Sequence, residues 1–250
     1  MINLNSEISQ IDIKKNDTVL IHSNLLKLLR ESGSREKGSL IIENFIDYLL
    51  EIIGINGTLI FPTFTFSFSN KGITSYKNKD CETGILCKKA LLRNKGLRSY
   101  SPVYSFTSIG RLSRKINSFI DLKPFRENSI FNLLEKNNCK ILLINLNDND
   151  GLTYVHYVEA MLDVPYRKFK IFKGKIENKN NIEETYTELF VRNNNTIKTD
   201  ISDLQNYLLK KNLYNVSENM RLISMQRYRR ECLELLDLRK YEMFRKIKLI

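Results

Sequence analysis

Lys140-Ile141-Leu142-Leu143-Ile144-Asn145-Leu146-Asn147-Asp148-Asn149-Asp150-Gly151-Leu152-Thr153-Tyr154-Val155-His156-Tyr157-Val158-Glu159 is the stretch on which the reading of this chain turns. It opens with a short apolar run between polar flanks, the mark of a buried strand in a mostly parallel sheet. Asn, Asp and Gly then crowd into a turn. Asp150 or Thr153 is placed to cap a following helix. On that helix His156 and Glu159 are three residues apart and share a face. A strand that stops in a polar loop and restarts as a helix is where open α/β sheets place their sites.

A base working at neutral pH needs an imidazole oriented by a carboxylate. His156 has Asp148, Asp150 and Glu159 close by in sequence. An ordinary surface histidine beside a glutamate would show the same spacing, so scarcity matters. The 250 residues contain two histidines, His22 and His156, and each comes shortly after an apolar strand-like run.

Outward from this centre, Asp17 to Asn24 reads as a strand ending in small polar residues, with a helix following from Leu25. Backbone amides and hydroxyls at such an end suit a phosphate or an amide-rich ligand, although a plain strand-to-helix turn has the same composition. Residues 31–38 read as a charged loop, and Ser39 as the cap of a helix with Ile42, Phe45, Ile46, Leu49 and Ile53 at helical spacing. Gly54 ends that helix. Thr58 to Phe61 is a second strand. The alternating hydroxyls and aromatics from Thr63 to Phe66 suit a cleft wall. A polar loop (67–79), a short helix opened by Thr83 and Gly84, an irregular segment turning into a strand (98–110) and a short helix (129–135) lead back to Lys140. Pro165 stops the helical region by about Val164. Residues 171–191 read as an antiparallel pair turning at 178–181, and 200–211 and 224–244 as helices.

The fold class expected is α/β: three α/β/α layers around a central, mostly parallel sheet, with a small inserted or appended antiparallel subdomain. Residues 1–250, at 42% hydrophobic, suffice for a single domain. Its core would span about 10–165, a cleft-covering subdomain about 166–200, and C-terminal helices 200–250. No signal peptide and no apolar run of membrane-spanning length is present, so a cytoplasmic protein is expected. Cys81, Cys87, Cys139 and Cys232 lack a metal-ligand spacing and read as reduced thiols. A net charge of +12 favours anionic partners. The basic residues from Arg239 to Lys248 read as a solvated face, with membrane or nucleic-acid contact the lesser reading, since no nucleic-acid motif accompanies them.

Several pieces, in order, resemble the aminoglycoside 3-N-acetyltransferase family. His22-Ser23-Asn24-Leu25 resembles its His-Ser-Ser-Leu. Gly57 to Thr65 is similar to its Gly-Thr-Leu-x-x-Pro-Thr-Phe-Thr. Thr83 to Leu86 and the segment from Arg98 to Gly110 also look like family stretches. Asp150, Thr153, His156 and Glu159 fit Asp-x-x-Thr-x-x-His-x-x-Glu, and Val164-Pro165-Tyr166-Arg167 matches as well. Together these pieces span most of residues 15–170. The resemblance implies transfer from acetyl-CoA or another acyl-CoA to an amine, without a metal. His156 would be the base, with Glu159 or Asp150 fixing its tautomer. His22, Ser23, Asn24, Ser105, Thr107 and Thr153 would meet the coenzyme. Thr153, or backbone amides near Ser23 and Asn24, would hold the oxyanion. Thr63, Thr65, Arg98, Tyr104 and Arg126 would line the acceptor side. No nucleophilic Ser or Cys is required, so transfer is direct, in a ternary complex.

This chain departs from the family pattern at several places. Ser101-Pro102 stands for His-Pro, Tyr104 for the next His, Phe125-Arg126-Glu127-Asn128-Ser129 for Phe-Gly-x-Gly-Ser, and Leu152 for an Asn. These changes point to an altered acceptor. Basic residues such as Arg98, Lys123, Arg126, Arg167 and Lys168 suit an anionic amino sugar, most simply a nucleotide-linked one. A polycationic aminoglycoside is the alternative acceptor, and a non-catalytic basic binding module the alternative class. No nucleic-acid partner is expected, and the sequence is compatible with a homo-oligomer.

Overall fold

The computed structural model describes residues 3–75, 81–178, 181–193, 197–198, 200–239 and 248–249. In chain order, α1 (Leu4–Ile8), β1 (Thr18–Ser23), α2 (Leu26–Glu31) and the long α3 (Arg35–Ile53) lead to β2 (Thr58–Pro62). Then come α4 (Ser67–Lys71), β3 (Ile73–Ser75), α5 (Ile85–Arg93), β4 (Phe106–Gly110), α6 (Ser113–Asn117) and α7 (Ile130–Lys136). The central strand β5 (Lys140–Ile144) is followed by α8 (Asp148–Gly151) and α9 (Tyr154–Met161). The rest comprises β6 (Arg167–Asn178), β7 (Asn181–Arg192), β8 (Ile197–Lys198), α10 (Ser202–Lys210), β9 (Asn215–Val216), β10 (Met220–Ser224), α11 (Met225–Arg239) and β11 (Lys248–Leu249).

Six strands form one sheet in the order β4-β2-β1-β5-β10-β9. The three central strands run parallel, with Leu20 opposite both Ile60 and Ile141. The flanking strands β4, β10 and β9 pair antiparallel. Alternate residues of the central strands enter two separate cores. Val19, Ile21, Leu59, Phe61, Leu142 and Ile144 pack with α1, α3 and α5 on one face. Leu20, Ile60, Ile141 and Leu143 pack with α7, α9, α10 and α11 on the other. A sheet covered on both faces must read as continuous apolar runs, and these strands do. This is the expected α/β/α layering with a mostly parallel centre. A second sheet, β3-β6-β7, has β6 and β7 antiparallel over their whole length, from Arg167 opposite Arg192 to Asn178 opposite Asn181.

Several local expectations are corrected. The cap of α3 is Ser34, whose hydroxyl accepts from the Lys37 amide at 3.2 Å; Ser39 lies inside the helix. Gly38 is not a loop residue. A Cβ there would fall 2.6 Å from Leu29 Cδ2, so the glycine lets α3 pass close to α2. The expected polar loop contains α4 and β3. Neither Asp150 nor Thr153 caps through its side chain; Asn147 does, accepting from the Asp150 amide at 3.0 Å at the start of α8. Strand β10 has no counterpart in the sequence reading. It inserts beside β5, with Leu222 opposite Leu142. The helix expected to reach Phe244 is described as far as Arg239, and the end of the polar loop and the tip of the antiparallel pair lie outside the described residues. All four cysteines are free. Among the described residues no helix is long and apolar enough to cross a membrane.

Candidate active site

The sheet itself locates the site. From β1 the chain goes to β2 on one side, and β5 lies on the other, so the carboxyl end of β1 is a switch point where an open α/β sheet leaves a crevice. A cavity of about 390 Å³ lies there, lined by His22, Ser23, Asn24, Thr83, Gly84 and Thr153 among others. Gly84 has φ +91° and sits 3.9 Å, measured from its ideal Cβ, from the Ser23 carbonyl oxygen. A left-handed residue without a Cβ lets the start of α5 close over the end of β1.

Helix α9 carries the candidate pair. Tyr154, Val155, Tyr157, Val158 and Glu159 are buried, whereas the His156 side chain remains 30% exposed. His156 Nδ1 lies 2.8 Å from Glu159 Oε2. The Tyr166 hydroxyl donates to Glu159 Oε1 at 2.9 Å. Arg167 Nε stands 2.7 Å from Glu159 Oε2. That approach lies outside hydrogen-bonding geometry, so it acts as a contact of charges. Burial would raise the Glu159 carboxyl, but the hydrogen bond and charge of His156, the Arg167 guanidinium and the Tyr166 hydroxyl together hold it below the usual value. Glu159 is therefore an anion that only accepts, and Nδ1 of His156 must donate to it. The Nε2 lone pair is left without a hydrogen-bond partner among the described residues. Burial and the Arg167 charge hold the His156 imidazole below its ordinary value, against the opposing pull of Glu159. A neutral imidazole with one free lone pair is a general base. The Phe125 ring stands edge-on to it, with centroids 6.0 Å apart.

His156 and Tyr104 form the boundary between two further cavities of opposite charge. The smaller, about 190 Å³, is lined by Asp148, Asp150 and Glu159 with no Lys or Arg. The larger, about 1060 Å³, lies against the β6–β7 sheet and is lined by Arg167, Lys168, Lys170 and Arg192 with no carboxylate. The smaller cavity meets the crevice at Phe66, Asp150 and Thr153. Crevice, acidic cavity, base and basic cavity are thus contiguous.

The structure brings some of the expected residues together and separates others. His156 and Glu159 are paired. Asp150 does not touch the imidazole; its exposed carboxylate faces the acidic cavity and the crevice without a side-chain partner among the described residues. Glu159 is therefore the orienting acid. His22, Ser23, Asn24 and Thr153 all line the crevice. The Asn24 amide is already bonded to the Ile144 carbonyl at 2.9 Å, which removes it as an oxyanion donor, while the Thr153 hydroxyl has no partner among the described residues. Ser105 and Thr107 are fully buried. Their hydroxyls donate to the carbonyls of Thr63, at 2.6 Å, and Leu97, at 2.7 Å. Thr63 and Thr65 are equally closed in, bonded to Ser105 and to the Pro102 carbonyl. Arg98 is buried near the Thr63 carbonyl at 3.4 Å. These five residues brace the loop before β4 and line none of the three cavities. Arg126 pairs with Glu188 at 2.6 Å and lies over the Phe169 ring, outside the cavities. Tyr104 does face the site, and burial pushes its hydroxyl up to about 12.

The sequence reading missed Tyr166 and Arg167 as partners of Glu159. Their signal was present in Val164-Pro165-Tyr166-Arg167, since a proline just past the helix turns the chain back toward it. Among the described residues no group of His, Cys, Asp and Glu is arranged to hold a metal ion.

A family model described as aminoglycoside 3-N-acetyltransferase matches residues 20–237. Among solved structures, "AAC-IIIb binary with CoASH" superposes with a TM-score of 0.73 at 15% identity, covering 94% of this chain and 95% of that one. A sisomicin-bound AAC-VIa superposes with a TM-score of 0.71 at 15% identity, covering 94% and 97%. The YokD protein from Bacillus subtilis gives 0.65 at 16% identity, covering 93% and 97%. No curated protein matches the chain in sequence.

Proposed function

The chain belongs to the aminoglycoside 3-N-acetyltransferase family, and from that premise we propose that it transfers an acetyl or short acyl group from acyl-CoA to the amine of an anionic amino sugar. An enzyme that draws on a coenzyme A thioester fits a cytoplasmic setting. An amine is protonated at neutral pH and attacks only after losing a proton. In this reading Nε2 of His156 takes that proton, directly or through a water. The amine nitrogen bonds to the thioester carbonyl carbon, and the C–S bond then breaks. The thiolate leaves with the proton returned by the imidazolium. Glu159 fixes the imidazole tautomer and stabilises the imidazolium. The free Thr153 hydroxyl is suited to the oxyanion, and the crevice at His22, Ser23 and Asn24 to the amide-rich arm of the coenzyme.

The acceptor assignment rests on one observation: the larger cavity beside His156 carries four cations and no carboxylate. Such a wall repels a polycation and attracts an anion. A nucleotide-linked amino sugar has an amine to react and a diphosphate to pair with Lys or Arg. The opposite acceptor, an aminoglycoside, is favoured by Asp148, Asp150 and Glu159 around the smaller cavity, and the neighbour AAC-VIa is sisomicin-bound. The test is thiol release from acetyl-CoA at low and moderate salt, with nucleotide-linked amino sugars compared with kanamycin-type drugs. Turnover is expected with the former, declining as salt rises. Acetylation of the drugs with no turnover of any nucleotide-linked amino sugar overturns the acceptor assignment.

A further inference from the structure

Glu159 Oε2 has two claimants. His156 Nδ1 reaches it at 2.8 Å from the same helix, and Arg167 Nε reaches it at 2.7 Å from the first residue of β6. Arg167 is itself 93% removed from solvent, since its side chain is 7% exposed. Its Nη1 donates to the Phe190 carbonyl on β7 at 3.1 Å, so its position is fixed by the antiparallel sheet rather than by the helix. An Arg tied only to backbone would be a strut. One set against the carboxylate oxygen that also faces the base does something more, because the anion's charge is divided between a permanent cation and an imidazole. Without that cation, a buried carboxylate would have only the imidazole to neutralise it, and a buried His–Glu pair then favours imidazolium. An imidazolium cannot accept the proton of an attacking amine.

We propose that Arg167 is a positioning residue for the transfer, sharing the Glu159 carboxylate with His156 so that the imidazole stays neutral and its Nε2 remains free. The role belongs to the sheet as much as to the residue. The base sits on α9, but the charge that keeps it usable is delivered by β6. Of the other charged or titratable neighbours of the pair, only the two carboxylates of α8 work against this arrangement, and neither touches the imidazole. Tyr166 gives Oε1 a neutral hydrogen bond. Arg192 on β7 adds a second cation acting on His156. Tyr104 is a neutral phenol beside the imidazole, and Asp148 and Asp150 on α8 share the acidic cavity with it. Tyr228 and Cys232 on α11 are buried and neutral. Among the described residues Arg167 is therefore the one permanent charge in direct contact with the shared oxygen.

The test needs no acceptor, which separates it from the functional reading. With two histidines in the chain, imidazole ¹⁵N spectra of the full protein give two sets of signals, assigned with a His22→Gln variant. In Arg167→Gln the His156 titration midpoint should rise by about one pH unit, while Arg167→Lys stays close to the parent. A midpoint that stays or falls in a folded Arg167→Gln protein overturns the proposal. If that variant does not fold, Arg167→Lys is read through the tautomer. Persistence of the Nδ1-protonated form supports the proposal, and a mixture of tautomers overturns it. Where turnover is measurable, a loss in Arg167→Gln at neutral pH that recovers as pH rises separates this role from a contact to the acceptor, which would raise KM at every pH.

Discussion

The end of β1 and the start of α9 each carry one of the chain's two histidines. His22 is 6% exposed, and its Nε2 has no hydrogen-bond partner. Burial alone pushes it down to about 4. His156 is also pushed down by burial, but Glu159 pulls the other way and its side chain is 30% open. The contrast lies in local geometry. On a strand only every second residue shares a face, and for His22 those neighbours are Leu20 and Asn24, neither of them a carboxylate. On a helix, a residue three positions on lies on the same face, and here it is a carboxylate. Burial without a partner leaves an imidazole neutral but unaimed. A carboxylate at Nδ1 and a side chain partly open to solvent are what a base requires.

The largest expected effect comes from removing the base. His156→Ala should lower kcat by roughly a hundredfold or more with acyl-CoA binding preserved, while His22→Ala should act mainly on the KM for acyl-CoA. Equal losses of kcat in the two variants would erase the distinction. Glu159→Gln comes next, with a decrease in kcat of roughly tenfold to a hundredfold from a misoriented imidazole, read at saturating acyl-CoA.

The pH dependence sharpens the comparison further. His22 is near 4 in the fold, below an unfolded value of about 6.5, so the unfolded chain binds the proton more readily. That group's stability contribution is whole above about 6.5 and is lost as pH falls toward 4. Between pH 7 and pH 5 the His22 contribution should fall by about 2 kcal/mol, read as the difference in urea unfolding between the parent and a folded His22→Asn protein, because the raised carboxyls of Asp121 and Asp148 change in the opposite sense over the same range. The smallest effect is expected at Ser105. Ser105→Ala removes a bond to the Thr63 carbonyl and should cost about 1 kcal/mol of stability, with the KM for acyl-CoA unchanged. A rise in that KM would return Ser105 to the coenzyme site.

What could be read in advance followed local rules. The central strands were legible because a strand covered on both faces must be apolar throughout. The His156–Glu159 pair was legible because helical spacing guarantees proximity. The hydroxyl-rich segments at Thr63, Thr65, Ser105 and Thr107 misled. Alternation says that side chains point to opposite sides, but not which side is a cavity and which is a neighbouring loop. Strand β10 was hidden because Met220 to Ser224 is short and mixed, with Arg221 as its second residue. Pairing with β5, rather than propensity, makes it a strand.

The sequence by itself determined the layering, the family resemblance and the shared helix face of His156 and Glu159. Each of these depends on residues close together along the chain, or on ordered motifs that need no knowledge of distance. The tertiary structure decided that Glu159 rather than Asp150 holds His156, that Arg167 shares the same oxygen, and that an acidic and a basic cavity meet at the imidazole. The last two depend on how β6 and β7 return to α9, a long-range packing with no local spacing to announce it.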